Sequence, residues 1–143
     1  MLININPLLG PDLLYTLRAM GHGDEIAIVD GNYPAETDGQ RVIRADGHTA
    51  SAILNAVLSV MPIDDMVEQA AFIPFVEKEQ PVHVAFGAAV SAVSPGTKLF
   101  PLKGAAFYDR VKGAHAIIAT SESALLPNIA SASIANVGAS VKT

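Results

Sequence analysis

The chain contains no cysteine among its 143 residues. That removes disulfides, thiolate nucleophiles and cysteine-ligated metals together. Charge is sparse as well: Asp, Glu, Lys and Arg make up only 16% of the chain, and no Lys/Arg run exceeds one residue. A nucleic-acid surface carries a basic stripe, so a net charge of −5 without basic runs argues against that class of partner. No stretch reaches the roughly 18 uninterrupted apolar residues expected of a membrane span. Near the N-terminus, Pro7, Gly10 and Pro11 interrupt the apolar core that a secretory leader needs. The default expectation is a cytoplasmic enzyme or binding domain with no nucleic-acid and no membrane partner.

What is present is apolar. Half of the residues are hydrophobic, enough for a sizeable core in a chain of single-domain length. A surface poor in charge suits a homo-oligomer. Gly10-Pro11-Asp12 reads as a helix start, and Leu13, Leu14, Leu17 and Met20 follow at helical spacing up to Gly21. Residues 25–29 form a short apolar run read as a strand. Residues 41–45 alternate as a second strand, and Thr49 caps a helix that runs towards Pro62. Residues 70–76 read as a third strand, which Pro74 pushes to a sheet edge or a bulge. Residues 81–93 read as a helix, 98–102 as a strand, 105–112 as a helix and 115–120 as a buried strand. One more strand is expected near 128–130. Strands alternating with helices predict one three-layer α/β/α domain over 1–143, with a central, mostly parallel sheet and residues 131–143 as a mobile tail.

The most informative segment is Met20-Gly21-His22-Gly23-Asp24-Glu25, leading into a strand that ends at Asp30. Histidine is the side chain whose ordinary pKa lies nearest neutrality. Asp30, followed by Gly31-Asn32-Tyr33-Pro34, delivers a carboxylate to a loop, where open α/β sheets bind ligands. The competing reading of His22 is a helix-end histidine that interacts with the helix dipole. For Asp30 it is a turn-forming aspartate that bonds its own backbone.

At these residues the chain resembles the L-fucose mutarotase and D-ribose pyranase family. The matching pieces are Ile5-Asn6-Pro7-Leu8-Leu9, Met20-Gly21-His22-Gly23-Asp24-Glu25-Ile26, Asp30, Asn32-Tyr33-Pro34-Ala35 and Val42-Ile43-Arg44-Ala45-Asp46-Gly47. Phe107-Tyr108-Asp109-Arg110, residues 114–120 and Glu122 complete the set, and the Ile43-Arg44-Ala45-Asp46-Gly47 stretch favours the fucose branch. The resemblance implies an isomerase that interconverts the α and β anomers of a reducing monosaccharide. It also implies that no metal or organic cofactor is needed, and a ring-shaped homo-oligomer, commonly a decamer, with sites at subunit contacts. It places the proton-donating histidine on His22 and the sugar-binding aspartate on Asp30. A sugar-binding asparagine falls on Asn128, with Leu126 and Tyr108 as further candidates for contact with the sugar. Three features depart from the family pattern. Leu126-Pro127-Asn128 stands where Tyr-Gly-Asn is usual, Gly104 stands where the fucose branch carries arginine, and the tail after Asn128 is longer and poorer in bulky aliphatics.

Mutarotation opens a hemiacetal and recloses it on the other carbonyl face, which moves one proton off the anomeric hydroxyl and one onto the ring oxygen. General acid/base catalysis of about 10²–10⁴-fold is the scale of help required. The alternative reading is a non-catalytic or differently specific monosaccharide-binding relative, with a transport-associated or regulatory role. Among the other polar groups, Asp24 and Glu25 read as a structural cap or an interface pair, and Arg44 with Asp46 as a buried ion pair. Tyr108 reads equally as helix packing or as a hydroxyl in the site. His83 and His115 read as structural, and His48 stays open. Gly21-x-Gly23 lacks the third glycine and the following helix of a dinucleotide fingerprint.

Overall fold

A proline at the first helical turn costs no hydrogen bond, because that N–H has no partner within a helix. The chain uses this twice, in α1 (Pro11–Ala19) and α4 (Pro81–Val93). A computed structural model describes residues 1–64, 69–123 and the backbone of 132–135. Between them lie β1 (Glu25–Val29), α2 (Ala35–Asp38), β2 (Val42–Ala45), α3 (Ala50–Leu58) and β3 (Ala71–Pro74). After α4 come β4 (Leu99–Leu102), α5 (Ala105–Lys112), β5 (Ala116–Thr120) and β6 (Ala132–Ala135). The Thr49 side chain accepts a hydrogen bond from the Ala52 N–H at 3.2 Å, and α3 ends at Leu58, short of Pro62.

The strands form one sheet in the order β2-β5-β1-β6-β3-β4. All pairings are parallel except those of β6, which runs antiparallel to both β1 and β3. Residues 128–130, where the sequence places its last strand, lie outside the described residues. The strand that does form, at 132–135, occupies the middle of the sheet. β3 is therefore not an edge strand: β4 and β6 flank it. Pro74 is accommodated at the strand end, beyond the reach of β6. Pro101 lies on β4, a true edge, where a missing N–H is tolerated.

Two apolar layers sandwich the sheet. Ile26, Ile28, Ala116 and Ile118 face α1, α3 and α4. Ala27, Val29, Ile117 and Ala119 face Tyr33, Ala35 of α2, and Phe107 and Val111 of α5. Residues 26–29 are fully buried, as a strand covered on both faces must be, which explains their unbroken apolar run. Each large aliphatic so buried stabilises the fold by about 1.5–3 kcal/mol.

Two elements differ from the sequence reading: β6 falls within the stretch 131–143 read as a mobile tail, and the short helix α2 has no counterpart there. It ends at Gly39, whose N–H donates to the Ala35 carbonyl at 2.8 Å. Gly39 has an ordinary φ of −82°, so close approach rather than backbone conformation requires the glycine. A Cβ there would lie 2.6 Å from Val42 Cγ2 and 2.9 Å from the Ala35 carbonyl oxygen. Gly39→Ala is expected to destabilise the chain by about 1–3 kcal/mol, as overpacking does, seen as a lower urea midpoint with an unchanged slope.

Candidate active site

The residues singled out by the sequence fall at opposite ends of β1. His22 precedes the strand and Asp30 follows it. Five residues of strand separate them, roughly 17 Å at about 3.3 Å per residue. The sequence reading sets the two one strand apart, and within one chain the fold keeps them at opposite ends of that strand.

At the N-terminal end, residues 21–24 form a tight turn. The Asp24 N–H donates to the Gly21 carbonyl at 3.2 Å, and the Gly21 N–H donates to Asp24 Oδ2 at 2.7 Å. The left-handed φ falls on Gly23, at +82°, and not on Gly21, as a type II turn demands of its third residue. Helix α1 stops at Ala19, so His22 is not its cap. Instead, His22 sits at the tip of the turn with its side chain 67% exposed and its Nδ1 3.4 Å from Oδ2 of Asp64, which is fully buried. Glu25 pairs with Arg110: Nη2 and Nε of the guanidinium lie 2.7 and 3.0 Å from Glu25 Oε1. Arg110 also donates to the Gln69 carbonyl and lies 4.2 Å above the Phe72 ring. Asp24 and Glu25 thus have the structural roles expected of them.

At the C-terminal end, the buried Asp30 folds its own loop. Its Oδ1 accepts from the Asn32 and Tyr33 N–H groups, each at 3.0 Å. Thr120 donates to the Val29 carbonyl at 2.7 Å, and the Gly31 N–H donates to the Glu122 carbonyl at 3.1 Å. The Glu122 carboxylate accepts from the Ala50 N–H at 3.1 Å, at the first turn of α3, where negative charge is favoured. Ser121 accepts from the Gly47 N–H and donates its own N–H to the His48 carbonyl. The loops after β1, β2 and β5 are thereby tied into one rim. Tyr108 packs on Tyr33 in a stacked pair, centroids 5.7 Å apart, beside this rim. Asn128 and Leu126 lie outside the described residues. The sequence reading missed Asp64, Thr120 and the capping by Glu122. Of these only Glu122 carries a signal, a carboxylate just past a buried strand.

The Arg44–Asp46 pair is not buried. It is bidentate, at 2.7 and 3.2 Å, but its side chains are 52% and 60% exposed, with Glu36 3.6 Å from Arg44. Arg44 lies on the edge strand β2, on the sheet face that α2 and α5 cover, next to Glu36 of α2. Hydrogen bonds from Arg44 hold the Asp46 carboxyl below the usual carboxylate range. With His48 and Asp12 the pair lines a cleft of about 360 Å³ between β2 and the start of α1. His83 is buried against Phe86, as expected of a structural histidine. His115 receives Arg41, whose Nη1 donates to its carbonyl at 3.1 Å. Among the described residues, no three His, Asp or Glu side chains converge as metal ligands would. Nor is any helix there long and apolar enough to cross a membrane.

The model of the RbsD / FucU transport protein family matches residues 3–133. The chain belongs to that family. FucU from Bifidobacterium longum is 33% identical over 93% of this chain and 96% of its own, with a TM-score of 0.83. The fucose mutarotase of Streptococcus pneumoniae, solved with L-fucose, is 32% identical over 94% of this chain and 97% of its own, also at 0.83. Protein Atu2016, a proposed sugar-binding protein, is 29% identical over 95% of both chains, at 0.86. The departure at Gly104 has a local cause in the backbone. Gly104 precedes α5 with φ 49° and ψ −125°, a conformation that side chains other than hydrogen strain to adopt. Its neighbour Lys103 places Nζ 4.6 Å from the centre of the Phe75 ring.

Tyr33 gives this rim a pH dependence. Burial first, then the hydrogen bond from its hydroxyl to Asp38 Oδ2 at 2.9 Å, raises its pKa well above the usual phenol range. An unfolded tyrosine loses its proton near about pH 10, while the folded one keeps it. The contribution is therefore complete below that pH and is lost as pH rises above it. Urea midpoints measured at neutral and at strongly alkaline pH are expected to fall more steeply for wild type than for Tyr33→Phe.

Proposed function

We propose that this chain is a monosaccharide mutarotase of the fucose type, which opens and recloses the sugar ring by general acid/base catalysis. The observation that carries this reading is the exposed His22 imidazole on a rigid turn, in a chain of the RbsD / FucU family. Likeness to the L-fucose-bound enzyme of S. pneumoniae supports an L-fucose-like substrate. His22 gives a proton to the ring oxygen and takes it back on closure. Asp30 spends two of a carboxylate's roughly four acceptor sites on its turn. A sugar hydroxyl takes another. Asn128, Leu126 and Tyr108 complete the contacts, with Asn128 able to donate and accept at once. No metal or organic cofactor takes part.

The separation along β1 bears on assembly. His22 of one subunit serves the sugar held by the Asp30 rim of a neighbour, within a ring-shaped, cytoplasmic homo-oligomer. A second reading, a sugar-binding relative without turnover, draws on Leu126 in the tyrosine position and on Gly104.

Exchange spectroscopy of anomeric protons tests this. With L-fucose, D-ribose and D-galactose in turn, one sugar is expected to show accelerated exchange, and His22→Ala to slow it by about 100-fold. Acceleration of none would overturn the mutarotase reading in favour of the binding one, which titration of the same sugars would then detect. For the shared site, His22→Ala and Asp30→Ala chains are unfolded together and reassembled. Partial recovery of activity supports a site built from two subunits. If both variants are inactive alone and stay inactive as mixed rings, each site belongs to one chain.

A further inference from the structure

Between helix α4 and the strands β3 and β4 lies a cavity of about 490 Å³. Small-molecule sites usually span about 300–1,000 Å³. Among its walls, Ile73 and Leu99 pack with α4 and its neighbours, whereas Tyr33 and Tyr108 of the rim pack on the opposite face of the sheet. Gly87 stands at the middle of α4, where glycine is less favourable than alanine. Packing does not require it: a Cβ there would meet only Leu99 Cδ1, at 3.8 Å, an ordinary contact. What the missing side chain leaves is space in the cavity wall. His83 and Ser91 lie four residues to either side, on the same face of the helix, and both line the cavity. Phe75 forms another wall. Its N–H donates to the Leu102 carbonyl at 2.8 Å, and Lys103 Nζ stands 4.6 Å from its ring centre. An aromatic ring that is 45% exposed is thus fixed at the cavity.

The lining also carries both signs of charge. Glu79 and Lys98 face it, together with the His83 imidazole and the Ser91 and Thr97 hydroxyls. A singly charged ligand of either sign would meet a like charge there, and a hydrocarbon has nothing to offer five polar side chains. A neutral polyhydroxy ring suits all of them: its hydroxyls donate to Glu79 and accept from Lys98, and its C–H face covers Phe75. We propose that this cavity is a second monosaccharide site, built on α4 and β4 and separated from the rim by the sheet. It binds sugar whether or not His22 turns sugar over, so it goes beyond the mutarotase reading.

The test uses the full-length protein in its native assembly, with ¹³C-labelled Ile, Leu and Val methyl groups. Methyls of Ile73, Val84 and Leu99 line the cavity and report its occupancy. L-fucose, D-ribose and D-galactose are titrated in turn. With at least one of them these methyls are expected to shift saturably, both in wild type and in Asp30→Asn, which alters the rim. Phe75→Ala is expected to weaken this binding by about 10-fold, the loss of one aromatic contact. Gly87→Leu fills the cavity and is expected to abolish the shifts. Gly87→Ala guards against a folding defect: it is expected to melt at a higher temperature than wild type and to bind the sugar more weakly. Three results would overturn the inference: cavity methyls that no sugar moves, shifts undiminished in Phe75→Ala and both Gly87 variants, or shifts that vanish in Asp30→Asn and are therefore relayed from the rim. If no sugar shows accelerated anomeric exchange while the cavity methyls still move, the mutarotase reading fails and the second site stands.

Discussion

The architecture depends on the burial of β1 between two neighbours of opposite sense. Ile26 to Val29 have no exposed surface, and every backbone group along them must find its partner in β5 on one side or β6 on the other. A strand enclosed in this way cannot slip. A shift of one residue would move Ile26 and Ile28 from the layer of α1, α3 and α4 into that of α2 and α5. The positions of His22 and Asp30 are consequently set by the sheet itself, with the loops adding only local shape. The fixed length of β1 is also what makes a neighbouring chain necessary if both groups are to meet one small sugar.

Much of this was legible before any coordinates. Pro11 announces the helix it begins, and the continuous apolar runs at 25–29 and 115–120 read as buried strands. What was not legible has physical reasons. Helix α2 spans only four residues behind Pro34, too few for periodicity to register. The exposure of Arg44 and Asp46 follows from the place of β2 at the edge of the sheet, which no local pattern encodes. The contact between His22 and Asp64 joins elements far apart in sequence. A single aspartate after Pro62-Ile63 gives no hint that it lies beneath a turn on another strand.

The rim at the other end of the sheet shows how a candidate binding loop can be rigid without large side chains. Asp30, Thr120, Ser121 and Glu122 bind mostly backbone groups, and each such bond joins two loops or shapes one of them. Buried polar groups satisfied in this manner fix one geometry at modest net gain, while losing one partner leaves the other unsatisfied at a cost of about 1–3 kcal/mol. Gly104, the departure that precedes α5, takes no part in the hydrogen bonds of this rim.

The place of β6 bears on how the chain is made. The last described strand in chain order is the one that joins β2-β5-β1 to β3-β4. Until residues 132–135 emerge from the ribosome, the nascent protein holds two half-sheets, each with an open inner edge that can pair with a foreign strand. The two half-sheets become one only when β6 docks between β1 and β3. The interval between synthesis of β5 and docking of β6 is when a growing chain is most exposed to aggregation, and when protection by a chaperone would matter most.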